Sequence, residues 1–296
     1  HNVFRISPSG VITEIIDMWG DGGGNLLQAP GSVAVDNSGN AYVAGTDSDN
    51  VFKISPGGTI TEIIDASGDG GGNILDRPSC VALDGDRNVS VSGFSSDNAF
   101  KITPGGTITE IIDASGDGLG HLLNGPDAIA ADGTGDVFVA GGFSDNAFEV
   151  TPGGDVTQII EGTRDGTGNI LDDPPSLAVD GLNNVYIAAI TSSNAFEIAP
   201  GGSITEIIDA SGDGGGNVLA GASDIELDGL GNVYLAGSDS DNAFMITPGG
   251  AIIEIIDASG DGGGNVLDEP HGIAVDGSSR VYVTGRFSNN AFKIVP

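Results

Sequence analysis

The feature that most constrains this chain is an internal repeat of 48 residues that carries no insertion or deletion. A Pro corner recurs at Pro8, Pro56, Pro104, Pro152, Pro200 and Pro248, and Pro296 is residue 296 of 296. The six copies run 9–56, 57–104, 105–152, 153–200, 201–248 and 249–296, with residues 1–8 left over. A unit of this size cannot bury a hydrophobic face alone, so successive copies must stack. In the second copy four short segments, Ile60–Ile64, Cys80–Leu83, Val89–Ser92 and Ala99–Ile102, cluster β-branched and apolar residues between Gly, Pro, Asn and Asp. None has helical period or length, so all read as strands. Asp84-Gly85-Asp86-Arg87-Asn88 and Pro104-Gly105-Gly106 are turn sequences suited to antiparallel hairpins.

Four strands in a repeat of about 40–50 residues is the pattern of a propeller blade. The expected fold is therefore all-β: one six-bladed β-propeller over 1–296, with four antiparallel strands per blade. A parallel β-helix is the competing solenoid, but its coils are shorter. Closure would combine N- and C-terminal strands, with Val11–Ile16 as the outer strand of the last blade. One surplus follows. Asn2–Pro8 repeats the third strand found at Asn290–Pro296, and six blades have only six places for it. Either the chain is cut from a longer array, or the spare strand supports self-association by strand addition.

Composition narrows the function classes. Asp and Glu number 42 against 9 Lys and Arg, giving a net charge of -33. That charge disfavours nucleic acid and anionic membrane surfaces as partners. An apolar fraction of 39% argues against a disordered acidic chain. No apolar run is long enough to span a bilayer, so no membrane insertion is expected. A single Cys, Cys80, rules out a disulfide framework and a Cys-based zinc cluster; it reads as a buried inert thiol. The start at His1, without Met or a signal-like stretch, reads as a mature or trimmed form.

The segments Pro270-His271-Gly272-Ile273-Ala274-Val275-Asp276, Val281-Tyr282-Val283 and Ala291-Phe292-Lys293-Ile294 resemble NHL-type propeller repeats. They are also similar to streptogramin-lyase-like and gluconolactonase-like propellers, and the resemblance covers all six copies. It implies that Ile-Ala-Val-Asp is the innermost strand and Ile-Thr-Glu-Ile-Ile the outermost. The loop entering the innermost strand and the turn between second and third strands then share one face. The fold hosts many activities, so the resemblance does not fix a function.

The most informative loop follows the outer strand. From Asp65, oxygen-bearing side chains fall at positions 1, 3, 5, 9 and 12 (Asp65, Ser67, Asp69, Asn73, Asp76), with Gly at position 6 and a backbone carbonyl expected from Gly71. This is the ligand spacing of a calcium loop, in which a hard cation collects oxygens from alternate residues of a tight bend. Asp257, Ser259, Asp261, Asn265 and Asp268 repeat the full set. Asp209, Ser211, Asp213 and Asn217 lack the last ligand, at Ala220. Asp113, Ser115 and Asp117 are followed by His121 and Asn124. Glu161, Thr163, Asp165, Asn169 and Asp172 are degenerate, and Asp17, Asp21 and Asn25 have Trp19 at position 3. The loop resembles those of dockerins and integrin-type blades, but a strand precedes it, so an EF-hand fold is rejected. Several weakly bound Ca²⁺ ions, at most one per loop, are expected. The competing reading is a Gly-rich turn whose Asp and Asn cap their own backbone.

Asn50, Asn98, Asn146, Asn194, Asn242 and Asn290 read as Asx turns that start the third strand. The Asp residues before them (Asp49, Asp97, Asp145, Asp241) are candidates to reach a neighbouring loop. Asp36, Asp84, Asp132, Asp180, Asp228 and Asp276 read as turn-stabilising groups.

A catalytic centre should break the repeat. Glu226 stands where other copies have Ala, and Asp127, Asp224 and His271 vary at the entry to the inner strand, near the mouth of the expected axial channel. Glu269-Pro270-His271-Gly272 resembles a streptogramin-lyase segment that carries an acid and a catalytic His; the remaining catalytic groups of that family have no counterpart here. Three functions therefore stand. The first is a secreted or cell-surface calcium-binding propeller acting as a structural, adhesive or assembly module. The second is a metal-dependent lyase or lactonase using Glu226, His271 and Glu269. The third is a multivalent carbohydrate or peptide binder. The first is favoured, because so few polar residues are asymmetric.

Overall fold

The computed structural model describes residues 1–162 and 168–295. The chain is all-β among these residues and has the blades of a six-bladed β-propeller. Each complete blade takes its fourth strand from the following copy: the first blade comprises β3 (Pro30–Val35), β4 (Ala41–Gly45), β5 (Asn50–Ile54) and β6 (Ile60–Ile64). The second gives β7 (Pro78–Leu83), β8 (Val89–Gly93), β9 (Asn98–Ile102) and β10 (Ile108–Ile112). The third gives β11 (Pro126–Ala131), β12 (Val137–Gly141), β13 (Asn146–Val150) and β14 (Val156–Glu161). The fourth gives β15 (Ser176–Val179), β16 (Val185–Ala189), β17 (Asn194–Ile198) and β18 (Ile204–Ile208). The fifth gives β19 (Ala222–Leu227), β20 (Val233–Gly237), β21 (Asn242–Ile246) and β22 (Ile252–Ile256). These five sheets each have four strands in chain order. The sheet that follows has three strands among the described residues, β23 (Pro270–Val275), β24 (Val281–Gly285) and β25 (Asn290–Ile294).

The strands ahead of the first blade behave differently from the closure read in the sequence. β2 (Ile12–Ile16) pairs antiparallel with β1 (Val3–Ile6) in a separate two-stranded sheet, so the competition between the two third strands falls to β1.

The contacts group the chain into two units, His1–Ser144 with Phe148–Gln158, and Asp145–Ala147 with Ile159–Pro296. In the first unit, the first strands β3, β7 and β11 pack on one another in succession. The core between its first two blades joins Tyr42, Ala44 and Val51 to Val81, Val91 and Phe100. In the second unit β15, β19 and β23 follow the same pattern, and Tyr186, Ala188 and Ala195 meet Ile225, Leu235 and Phe244. The second strand of each complete blade is buried along its whole length, as in β4 and β20. That burial explains why small and apolar residues run through it without alternation. The recurring Phe of the third strand (Phe52, Phe100, Phe148, Phe196, Phe244) is at most 1% exposed, worth about 1.5–3 kcal/mol each.

The fourth strands β6, β10, β18 and β22 each carry a bulge. The register with the third strand skips Ile63, Ile111, Ile207 and Ile255. One extra residue bends the strand and increases its twist just before the acidic loop begins. Cys80 is half-buried, not fully buried as its strand position suggests: Ser32 Oγ and Ile129 O each lie 3.7 Å from its sulfur.

Candidate functional site

The acidic loop is shaped by its own backbone. In the second copy Gly68 N donates to Asp65 O, Gly70 N to Ser67 O and Leu75 N to Ala66 O. Leu75, 1% exposed, pins the end of the loop into the core. The sequence assigned the sharp bend to position 6, but the sterically obligatory glycine is Gly68 at position 4. Its φ is +62° and a Cβ there would overlap Asn73 O. Gly70, at position 6, also has positive φ (+71°) but faces open space.

The oxygen-bearing side chains form two separate pairs and not a single cage. Asp65 Oδ1 accepts Ser67 N at 2.8 Å and the Ser67 hydroxyl. Asp69 Oδ1 accepts Gly71 N at 2.7 Å while Oδ2 accepts Asn73 Nδ2 at 2.9 Å. Asp113 with Ser115, Asp209 with Ser211, and Asp257 with Ser259 repeat the first pair. Asp21 with Asn25, Asp213 with Asn217, and Asp261 with Asn265 repeat the second; in the third copy His121 Nδ1 takes the place of Asn, 2.6 Å from Asp117 Oδ2. Asp17 Oδ1 accepts Trp19 N. Thr163 and Asp165 lie outside the described residues. Asn169 turns to the fourth strand β18, where its Nδ2 donates to Glu206 Oε2 at 2.7 Å. Asp76 uses its backbone N to bond Ser96 Oγ, Asp172 O accepts Thr191 N, and Asp268 N bonds Ser288 Oγ. Among the described residues, no three His, Cys, Asp or Glu side chains are grouped to hold a metal ion. The local geometry is thus that of self-capping Asx turns.

These bonds fix the charge. The Ser67 hydroxyl and amide hold the Asp65 carboxyl below its usual range, and Asp209 and Asp257 are lowered by their serines in the same way. The Gly71 amide does the same for Asp69, as Gly23 does for Asp21 and Gly215 for Asp213.

The acids gather between loops, and the sequence reading missed this. Burial pushes Glu62 of β6 up, and the charges of Asp65 and of Asp21, in the preceding loop, push it further. Glu110 is raised in the same way by burial, Asp113 and Asp69, and Glu254 by burial, Asp257 and Asp213. The fourth blade shows the equivalent place as an open cleft of about 390 Å³ lined by Asn169, Asn194, Glu206, Asp209 and Ser211. The available signal was Glu62-x-x-Asp65, repeated at Glu110, Glu206 and Glu254.

The Asn series does not form the expected Asx turns. Asn50 Nδ2 donates both to Leu26 O at 3.1 Å and to Glu62 Oε1 at 2.9 Å, tying the loop to the fourth strand. Asn98, Asn194 and Asn242 repeat this with Glu110, Glu206 and Glu254. The preceding Asp does reach a neighbour. Asp49 Oδ1 accepts Arg77 N at 2.8 Å, Asp97 accepts Gly125 N, Asp145 accepts Asp173 N and Asp241 accepts Glu269 N, always 28 residues on. These latches place the turn between second and third strands beside the loop entering the next first strand, as the sequence implied. Asp36 behaves as expected: it accepts Ser38 N, Asn40 N, Asn40 Nδ2 and the Tyr42 hydroxyl, and burial with the nearby Asp36 charge pushes Tyr42 up to about 12.

The catalytic candidates separate. Glu269 Oε1 is ion-paired with Arg286 Nη1 at 2.8 Å. Asp224 bridges three first strands: Oδ1 accepts the Ser176 hydroxyl at 2.6 Å and Oδ2 accepts Ile273 N at 2.7 Å. Burial raises its pKa, and the nearby His271 opposes that rise. Glu226 is half-buried opposite Tyr234, accepts its own chain's Leu227 N, and is raised by burial and by Asp224. His271 is exposed. Asp127 belongs to the first unit and these residues to the second.

The sequence profile of the β-propeller repeat matches residues 262–290. No protein of curated function matches the chain in sequence. Among solved structures, virginiamycin B lyase from Staphylococcus aureus is 15% identical, covering 90% of this chain and 84% of that chain, with a TM-score of 0.67. Hydrazine synthase from Kuenenia stuttgartiensis is 13% identical over 90% of this chain and 76% of that chain, with a TM-score of 0.68. A chain of the nidogen/laminin complex is 14% identical over 84% and 87%, with a TM-score of 0.60. At these identities the likeness is one of fold. A repeat that matches this profile in its last copy and recurs every 48 residues on this fold makes the chain a β-propeller repeat protein.

Proposed function

We propose that the chain is a structural or assembly propeller whose acidic loops take divalent cations, Ca²⁺ foremost, at the junctions between consecutive loops. One observation supports this reading: Asp21 and Asp65, on successive loops, each lie within electrostatic reach of Glu62, as do Asp69 and Asp113 of Glu110, and Asp213 and Asp257 of Glu254. All donors are oxygens, which suits a hard cation. The loops hold their shape through their own hydrogen bonds, so a cation would act on the charge between loops and not fold them. Few carboxylates per junction place the affinity at roughly 10⁻⁴–10⁻³ M, which suits an extracellular or cell-surface setting. The test is thermal melting in EDTA, in millimolar CaCl₂, and in NaCl of matched ionic strength. A rise of several degrees in CaCl₂ alone supports the reading, and equal melts in all three remove it.

A second reading, a lyase- or lactonase-type enzyme, draws on the mutual electrostatic reach of Asp224 with Glu226 and with His271. It expects turnover of cyclic esters that is lost in Glu226→Gln and in His271→Ala. The two Asp224 oxygens already serve as joints between strands, which leaves this reading second.

A further inference from the structure

We propose that a cleft between the first two blades binds a small oxyanion, a phosphate or carboxylate group held by Lys53 and Arg87. The cleft, of about 230 Å³, is lined by Tyr42, Lys53, Thr61, Arg87, Ile102 and Thr103. It lies toward the turn that joins β5 to β6, whereas the acidic loop leaves β6 at its other end, after Ile64. Its volume is below the roughly 300–1,000 Å³ of sites for drug-sized ligands, so the occupant is small.

The repeat explains why Lys53 is left without a carboxylate. Lys101 holds the same place one copy on, opposite the short Ser90, and its Nζ reaches Asp84 Oδ2 at 3.1 Å and Gly135 O at 3.3 Å. In the first blade Tyr42 stands opposite Lys53, and its hydroxyl donates to Asp36 Oδ2 at 3.2 Å. The aspartate is thus taken, and the Lys53 ammonium lies over the Tyr42 ring, 5.6 Å from its centroid. A cation seated on an aromatic face keeps its charge and its donors for a further partner.

Arg87 enters from the turn between β7 and β8 of the next blade. Its φ is +66°, at a place where other copies have Gly39, Gly135 and Gly231. A left-handed backbone favours glycine, so the arginine carries a local strain that the turn itself does not require. Its charge opposes the rise of the Tyr42 hydroxyl, so the guanidinium works within electrostatic reach of the ring that carries Lys53. Lys101, Arg280 and Arg286 are ion-paired to Asp84, Asp276 and Glu269, but among the described residues Lys53 and Arg87 have no ion pair. The pairing of two cations also breaks the repeat: the corresponding residues are Lys101 with Gly135, Glu149 with Asn183, Glu197 with Gly231, and Met245 with Ser279. Glu62, the acid on this wall, bonds Asn50 and stands opposite Phe52, so its carboxylate is on the other face of the sheet from Lys53 and Thr61. A forked guanidinium can take two oxygens of one anion and an ammonium a third, with the Thr61 and Thr103 hydroxyls free to donate to the remainder.

The test is NMR titration of the metal-free protein with sodium phosphate and, separately, with sodium glucuronate, at constant ionic strength and with glucose as the neutral control. Saturable shifts in roughly the millimolar range are expected for at least one anion and not for glucose, and the tighter anion tells phosphate from carboxylate. Lys53→Met and Arg87→Gly should each weaken binding roughly tenfold, the worth of one charge-assisted partner. Methionine and glycine hold these places in other copies, at Met245 and Gly39, so both variants suit the fold. Lys101→Met removes the same charge from a lysine that is already paired, and should leave binding unchanged. No saturable binding of either anion overturns the proposal. So does an equal loss in Lys101→Met, which would mark general attraction to positive charge and not a site.

Discussion

Asp224 Oδ2 accepts the backbone N–H of Ile273 at 2.7 Å, joining the first strand of one blade to the first strand of the next. Ser32 and Ser176 occupy the same repeat position, and their hydroxyls accept Val81 N and Ile225 N at 3.2 and 3.3 Å. First strands are sheet edges, and these side chains satisfy N–H groups that would otherwise lie unpaired. Asp224→Val should therefore cost about 1–3 kcal/mol, because two part-buried donors, the Ser176 hydroxyl and Ile273 N, lose their acceptor. Asp224→Ser should cost less, because serine does this work elsewhere in the array. Urea unfolding of the two variants measures the difference; an equal loss in both removes the edge-capping account.

Glu62→Gln should raise stability at neutral pH by up to about 1 kcal/mol, a modest figure because the group is only partly buried. The amide oxygen can still accept from Asn50 while the repulsion from Asp65 and Asp21 disappears. Gln158 already stands at this position in the fourth copy. The same variant should respond less to CaCl₂, read as a smaller melting shift.

Stability should pass through a maximum in mildly acidic solution. Glu62, Glu110 and Glu254 are raised above 4.5, so the folded state binds protons more readily than the unfolded. Their protonation adds stability as pH falls through the raised values, and this gain is complete below 4.5. Asp65, Asp69 and their repeats are lowered below 3.8, so their contribution is present above that value and is lost as pH falls through the lowered ones. Melting temperature against pH at constant ionic strength should therefore rise from neutrality toward about 4.5 and fall below 3.8. A monotonic fall from neutrality would contradict the glutamate assignment.

Gly68→Ala and Gly70→Ala should differ sharply. Both positions have positive φ, which costs about 1 kcal/mol for alanine. At Gly68 the new methyl would also overlap Asn73 O, so the loop must open. Calorimetry should show a much larger loss for Gly68→Ala, and equal losses would mean that the bend is set elsewhere.

Much of the fold was legible because 48-residue periodicity and strand composition are local signals. The segments at Ile60–Ile64 and Val89–Ser92 fall on β6 and β8 within one residue at either end. The site was legible only as residue types. Calcium spacing and Asx-turn chemistry select the same Asp, Ser and Asn residues, and sequence alone cannot say whether Asp69 faces a cation or Asn73. The ties from Asn50 to Glu62 and from Asp49 to Arg77 join residues 12 and 28 positions apart, a distance that only the packing of strands and blades closes. The allocation of β2 was illegible for a different reason: β1 and β25 present nearly the same residues to it.

The Asp latches all point forward, from each residue to an amide 28 positions further along the chain. During synthesis this gives assembly a direction. A nascent blade exposes a ready acceptor, and the joint can shut as soon as the following loop leaves the ribosome, without waiting for a distant terminus. The array can therefore zip from its N-terminal side at the pace of translation.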